Sequence, residues 1–323
     1  MATLVTGGAG FIGSHLVDRL IGDGDVIVFD NLITGRLANL ESAIKTERAI
    51  FVYADVAQHV DGLDALYREA TSEKLDAIYH LASPASPTAY GEHPWETLAV
   101  NGHGTMQLLE LAKRHGARFL FASTSEVYGD PLVHPQPESY FGNVNPVGPR
   151  SCYDEGKRFG EAAVTAAAAT FGIDARIVRI FNCYGPRMAF GDGRLVPELI
   201  AAAHAGAAFP IHGDGSQTRS LTFVSDLVDG LLAVARAPIG AAPVNLGSEE
   251  ERSVAEIVEA FARVSRSTLP PARLPVRPED PQRRKPVIDR ARALGWSPTV
   301  PLEDGLRETL AWFEVAVRAY ALT

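Results

Sequence analysis

Gly7, Gly10 and Gly13 follow a short apolar run, Ala2 to Thr6, and stand at the mouth of a helical pattern. Without side chains at those spacings, the backbone and the open amides of a helix N-terminus can approach a diphosphate. Seventeen residues beyond Gly13, Asp30 ends a second run, Val26-Ile27-Val28-Phe29-Asp30, placed to accept hydrogen bonds from a ribose diol. A carboxylate there repels a 2′-phosphate, so the pattern predicts NAD rather than NADP.

The chain continues this alternation of short β-branched or aromatic runs with helical patterns, which predicts an α/β fold with a doubly wound parallel Rossmann sheet. Strands are expected at 2–6, 26–30, 49–54, 76–81, 118–123 and 175–180, with long helices at Pro94–His115 and Tyr153–Phe171. Such a sheet binds its ligand at the carboxyl ends of its strands. Asp55-Val56 after the third strand is placed for the adenine, and Leu81-Ala82-Ser83 after the fourth lines the cofactor. The predicted cofactor set is Gly7, Gly10, Phe11, Ile12, Gly13, Asp30, Asn31, Thr34, Gly35, Asp55, Val56, Leu81, Ala82, Ser83 and Asn101, with Tyr153 and Lys157.

After Asn182 the texture changes, with Gly185, Pro186, Gly191 and Gly193 breaking the pattern before a helix near Val196–His204. Leu227 to Ala235 reads as a helix capped by Ser225 or Asp226 that returns to the sheet. A Pro-rich loop from Leu269 to Pro286 carries Arg273, Arg277, Arg283, Arg284 and Lys285 before a last helix near Leu302–Val317. The expected division is an NAD-binding domain over 1–182, rejoined by 222–247, and a smaller interleaved α/β substrate lobe from 183–221 and 248–323.

A net charge of −9 over 323 residues disfavours nonspecific contact with nucleic acid or anionic membranes. Cys152 and Cys183 are too few for a disulfide framework, and nine histidines lie outside any metal-ligand spacing, so no metal is expected. No apolar run reaches the roughly 18 residues of a membrane span, and Met1 runs into Ala2-Thr3-Leu4-Val5-Thr6 without a leader pattern. A cytoplasmic protein is the expectation.

The fifth strand leads into Ser123-Thr124-Ser125-Glu126, and Tyr153-Asp154-Glu155-Gly156-Lys157 puts Tyr153 and Lys157 on one helical face. Tyr153 is the expected acid/base. Its phenol titrates near 10 when free, and a nearby Lys157 ammonium with a cationic nicotinamide would bring it towards working pH. Lys157 is also placed for the nicotinamide ribose, and Thr124 for a substrate hydroxyl.

These residues resemble the extended short-chain dehydrogenase/reductase family over essentially the whole chain, and within it the UDP-glucuronate decarboxylase (UDP-xylose synthase) branch. The resemblance rests on Thr6 through His15, His80 through Pro87, Ser123 through Pro131, Asn145 through Arg158, Gly185 through Met188, Gly215 through Arg219 and Asp280 through Pro286. It implies that Tyr153 takes the C4 hydroxyl proton of UDP-glucuronate as hydride passes to NAD. The carboxylate is then β to a ketone, carbon dioxide leaves, and protonation at C5 with return of the hydride gives UDP-xylose. NAD is thereby implied to stay tightly bound and to be recycled.

The resemblance makes Glu126 an active-site carboxylate that orders C5 protonation, and Arg284 the arginine at the sugar carboxylate. The charge run Arg283-Arg284-Lys285 taken alone reads instead as a solvated basic loop. Arg194 and Arg219 suit the UDP diphosphate, since guanidinium forks match phosphate oxygens. Asn182, Arg150 and Gln217 match substrate-contacting positions, and Tyr90, in the loop after the fourth strand, is a candidate for the sugar carboxylate. The two long helices resemble those that pair into a dimer in this family, implying a homodimer; their Ala-rich faces suit packing within one chain equally.

Departures from the family pattern at Ile211-His212, Leu221 and Ala99 leave open strict uridine selection and release of part of the product as UDP-4-keto-pentose. A nucleotide-sugar 4,6-dehydratase or 4-epimerase is the alternative within the same chemistry. A non-catalytic NAD-binding regulatory protein is the alternative outside it.

Overall fold

The computed structural model describes residues 1–276 and 282–320. Six strands form close to the expected positions: β1 Ala2–Thr6, β2 Asp25–Asp30, β3 Ala49–Tyr53, β4 Leu75–His80, β5 Arg118–Thr124 and β6 Ala175–Ile180. A further strand, Pro243–Leu246, pairs in parallel with β6, and the seven-stranded sheet continues through β5, β4, β1 and β2 to β3. Every pairing in it is parallel. The order reverses at β1, which is flanked by β2 and β4, and this opens a crevice at the carboxyl ends of those strands.

Alternate residues of each strand feed two cores. Leu4, Phe29, Ile78 and Phe121 pack on one face with Leu63, Leu108 and Val164 of the helices Val60–Ala70, Thr105–His115 and Ser151–Phe171. Val5, Val28, Tyr79 and Val178 pack on the other with Leu16 of α1 (Phe11–Leu20), Leu227 and Leu231 of Val224–Arg236, and Leu306 and Phe313 of the last helix. Strands buried on both faces read as near-continuous apolar runs, which is why they were visible in the sequence.

Gly7 turns the chain from β1 into α1 at φ +72°, and a Cβ there would lie 2.6 Å from the Ala82 amide nitrogen. At Gly13 a Cβ would meet the Gly7 carbonyl oxygen at 2.2 Å, so α1 packs against the turn only because both positions lack side chains.

Several expectations need correction. Pro94–His115 is helical, but Pro94–Ala99 and Thr105–His115 flank a π-helical turn, Val100–Gly104. Tyr90 lies in a short helix, Pro87–Glu92, not in a loop. The helix Val224–Arg236 is not capped by Ser225 or Asp226: Phe223 occupies the cap without a side-chain bond. Asp226 instead accepts from the amides of Thr299 at 2.9 Å and Val300 at 2.8 Å, so it ties that later segment to the start of the helix. The Pro-rich stretch contains two strands, Pro271–Leu274, parallel to Phe209–His212, and Arg283–Arg284, parallel to Thr218–Arg219. Arg277, Asp280 and Pro281 lie outside the described residues.

Candidate active site

A cavity of about 880 Å³ runs along the strand ends and is lined from the glycine turn to Arg284. Its first half is made by backbone. α1 starts at Gly10 with no side chain capping its amides, so those donors face the cavity. Asp30 is buried at the end of β2 and accepts from the amides of Leu32 at 2.8 Å and Ala9 at 2.9 Å. Burial holds its carboxyl above the ordinary range, and those two amides partly offset this. Phe11, Ile12, Gly13, Asn31, Thr34, Gly35, Asp55, Val56, Leu81, Ala82 and Ser83 line the same half. The open glycine cradle, the free helix amides and a carboxylate at the adenosine end fit a dinucleotide.

Asn101 is the exception. It is fully buried behind Ser83, donating to the Ser83 hydroxyl at 2.9 Å and to the Thr97 carbonyl at 2.9 Å, and does not line the cavity. Its Oδ1 has no hydrogen-bond partner. Asn101 lies in the π turn, and its bond to Ser83 ties it to a residue that does line the cavity.

Tyr153 and Lys157 project from the first turns of Ser151–Phe171 beneath the end of β5. Tyr153 is hydrogen-bonded to Thr124 and stacks on Tyr90, ring centroids 5.2 Å apart and planes 11° apart. The expectation that Lys157 lowers the Tyr153 pKa is not met in the chain alone. Burial pushes the phenol up, and the Thr124 bond only partly opposes it. Lys157 donates to the Ala122 carbonyl at 2.7 Å, lies 5.9 Å from the Tyr153 ring centre, and is itself brought down to about 7 by burial. Near that titration point only part of the population carries the ammonium charge that would favour phenolate.

The far half is built from charge. Glu126, in the 3₁₀ turn Ser125–Tyr128, accepts through Oε2 from Arg150 and from Arg284, the latter at 3.1 Å. Arg284 also donates to the Ser125 carbonyl at 2.8 Å and is 1% exposed, which overturns the solvated-loop reading; Arg283 beside it is exposed. Burial raises the Glu126 pKa, but Arg284, Arg150 and Arg219 outweigh it, so the carboxyl is held below its usual range. Asp154 is pushed the other way: burial and the Glu126 charge bring it up to about 7.

Asn182, Gln217, Arg219, Arg150, Tyr90 and Arg194 all line the cavity. Arg194 sits at the cap of the helix Leu195–Ala205 but is engaged by the Asp192 carboxylate, its Nε 2.7 Å away, so a diphosphate there must share it. Ala99, His212 and Leu221, three of the departures from the family pattern, also line the cavity. The sequence reading missed Arg36, Arg187 and Asp192 as lining residues, and the Ser125 carbonyl as the seat of Arg284. Arg187 lay within a quoted motif, and its non-glycine φ of +69° is visible only in three dimensions.

A parallel sheet with a glycine turn, a buried Tyr/Lys pair and one long cavity defines a dinucleotide-dependent enzyme class, and residues 3–247 match the NAD dependent epimerase/dehydratase family, to which the chain belongs. It is 49% identical over 312 residues to UDP-glucuronic acid decarboxylase 1 of Danio rerio, spanning 96% of this chain and 72% of that protein. Among solved structures, UDP-glucose 4-epimerase of Thermotoga maritima with UDP-glucose superposes at a TM-score of 0.89 and 29% identity, covering 98% of this chain and all of that one. UDP-glucuronic acid 4-epimerase of Bacillus cereus, in complex with UDP-glucuronic acid and NAD, superposes at 0.85 and 29% identity, covering 98% of this chain and 100% of that one.

Proposed function

We propose that the chain is an NAD-dependent UDP-glucuronate decarboxylase that forms UDP-xylose. The observation that carries this reading is Glu126 held between Arg150 and Arg284, with Arg219 near enough to act on it, in the same cavity as Tyr153 and Thr124. Three guanidinium groups around one carboxylate form a site suited to a second carboxylate, which a uronic sugar has and a neutral hexose lacks. The decarboxylase named above, at 49% identity, supports the same assignment.

Bound NAD supplies reversible hydride acceptance at C4 and a positive ring charge that favours ionised Tyr153. Thr124 orients the C4 hydroxyl, and Tyr153 takes its proton. Arg284 and Arg150 hold the sugar carboxylate as the ketone forms beside it. When carbon dioxide leaves, protonated Tyr153 and Thr124 donate to the developing enolate oxygen, a role worth most in a water-poor site. Glu126 then orders the donor that protonates C5.

The test is purified protein with UDP-glucuronate and catalytic NAD, read by mass spectrometry. Loss of the mass of carbon dioxide is expected; a product two hydrogens lighter would reveal release of the 4-keto pentose. An isomer of unchanged mass would instead establish a 4-epimerase, the reading the Bacillus cereus structure supports.

We also assign residues 1–182 and 222–247 to cofactor binding and 183–221 with 248–323 to the sugar nucleotide, a division supported by the return of Pro243–Leu246 to the main sheet. Two free, buried cysteines support a cytoplasmic setting. Among the described residues no helix is long and apolar enough to cross a membrane. Trp95, Leu98 and Met106 are exposed at helical spacing, with Gly102 between them beside the exposed Phe159. That stripe fits a second copy of the chain, and Trp95→Glu should shift the sedimenting species from dimer to monomer; an unchanged mass would count against the pairing.

A further inference from the structure

Arg284 stands on a short strand paired with Arg219, and the segment that follows it is held by a residue outside the cavity. Gln136 is fully buried and bridges that segment in parallel fashion. Its amide donates to the Lys285 carbonyl at 2.8 Å, and its carbonyl accepts from the Val287 amide at 2.9 Å. Its side-chain Oε1 accepts from the Lys285 amide at 3.0 Å, while Nε2 donates to the Val133 carbonyl at 2.8 Å. Lys285, the residue following Arg284, is thus gripped at both its N–H and its C=O by one residue.

Gln136 is in turn fixed by a buried network. Asn245 Nδ2 donates to the carbonyls of Gln136 at 3.0 Å and Val287 at 3.1 Å. Tyr128 donates its hydroxyl to Asn245 Oδ1 at 2.8 Å, and Arg179 donates to that hydroxyl at 2.9 Å. None of the three residues Gln136, Asn245 and Arg179 lines the cavity. Their bonds run from the sheet to Lys285 and Val287, just after Arg284, so the network fixes the backbone from which the Arg284 side chain reaches Ser125 and Glu126.

We propose that Gln136, backed by Asn245 and Tyr128, is a positioning residue that aims Arg284 at the sugar carboxylate, and so governs decarboxylation separately from oxidation at C4. The inference rests on the decarboxylase reading. Tyr153, Thr124 and Lys157 stand on β5 and on the helix Ser151–Phe171 and take no bond from Gln136, so hydride transfer does not depend on it.

The test is Gln136→Met, which keeps the shape and loses both side-chain bonds. In single-turnover mixing with UDP-glucuronate, reduced cofactor should appear at the wild-type rate while carbon dioxide release slows roughly tenfold to a hundredfold, the scale of a small misplacement. Affinity for UDP-glucuronate should weaken while affinity for UDP-xylose, which lacks the carboxylate, stays unchanged. Equal slowing of both steps, or no slowing of either, overturns the proposal. Should Gln136→Met fail to fold, Tyr128→Phe removes only the hydroxyl that holds Asn245; it should give the same split at smaller size, and its absence overturns the proposal. Wild-type protein that releases no carbon dioxide would sink the decarboxylase reading itself; the contrast in affinity between the two UDP-sugars then still decides whether Gln136 places Arg284.

Discussion

The two ends of the cavity are built on different principles. At the cofactor end, a glycine turn, open helix amides and Asp30 come from the first thirty residues and are held by backbone geometry, with Ala82 and Gly7 touching so closely that only glycine fits. At the acid end, Glu126 and Arg284 are 158 residues apart and are joined by charge. A backbone cradle accepts a ligand without changing its own contacts, whereas the arginines already engage Glu126 and must re-divide their bonds when a substrate carboxylate arrives. Binding at the cofactor end is therefore an addition, and at the acid end an exchange.

The sharpest way to break this comparison is Arg284→Met. It removes one guanidinium from Glu126 but leaves Arg150 on it, so the buried carboxylate keeps a partner. Carbon dioxide release should fall about a hundredfold to a thousandfold, as for loss of one oriented charge in a water-poor site. NAD binding measured by calorimetry should be unchanged; a matching loss of NAD affinity would mean the two ends are one coupled unit.

The converse substitution is Asp30→Asn, which removes the charge offered to the ribose diol and upsets the amides of Ala9 and Leu32. NAD affinity should drop roughly tenfold or more, in line with a lost charged hydrogen bond, while UDP-xylose affinity holds. A parallel loss of sugar-nucleotide affinity would refute independent ends.

The smallest effect concerns Asp154, pushed from 3.8 up to about 7 by burial and by Glu126. Below 3.8 both folded and unfolded chains hold that proton; between 3.8 and about 7 only the folded chain does. Its contribution to stability is therefore greatest at low pH and is lost as pH rises through about 7. Asp154→Asn should remove that decline, gaining on the order of 1–2 kcal/mol relative to wild type between mildly acidic and mildly alkaline solution. Urea midpoints across that window test it, and identical pH slopes in the two proteins would refute it.

Legibility in the sequence followed the same divide. The glycine spacing, the strand runs and the Tyr153/Lys157 pair were readable because each is a local pattern with a local physical cause. Arg284 was not, since Arg283-Arg284-Lys285 looks like solvated surface, and only a family resemblance pointed to its role. The place of Asn101 behind Ser83 was not readable, because it lies in a π turn that no simple period betrays. Asp226 looked like a helix cap because Asp near a helix start usually is one; here Thr299 and Val300 claimed it from another part of the chain.

What the sequence by itself determined is the parallel sheet, the glycine cradle and the pairing of Tyr153 with Lys157 on one helical face, because apolar periodicity, glycine spacing and helical spacing act over a few residues. What only the tertiary structure decided is the charge state and aim of the acid end: how far burial raises Tyr153 and Asp154, which arginines meet Glu126, and that Gln136 grips the segment behind Arg284. Desolvation and long-range hydrogen bonding depend on what else surrounds a group, and that is set only when distant segments meet.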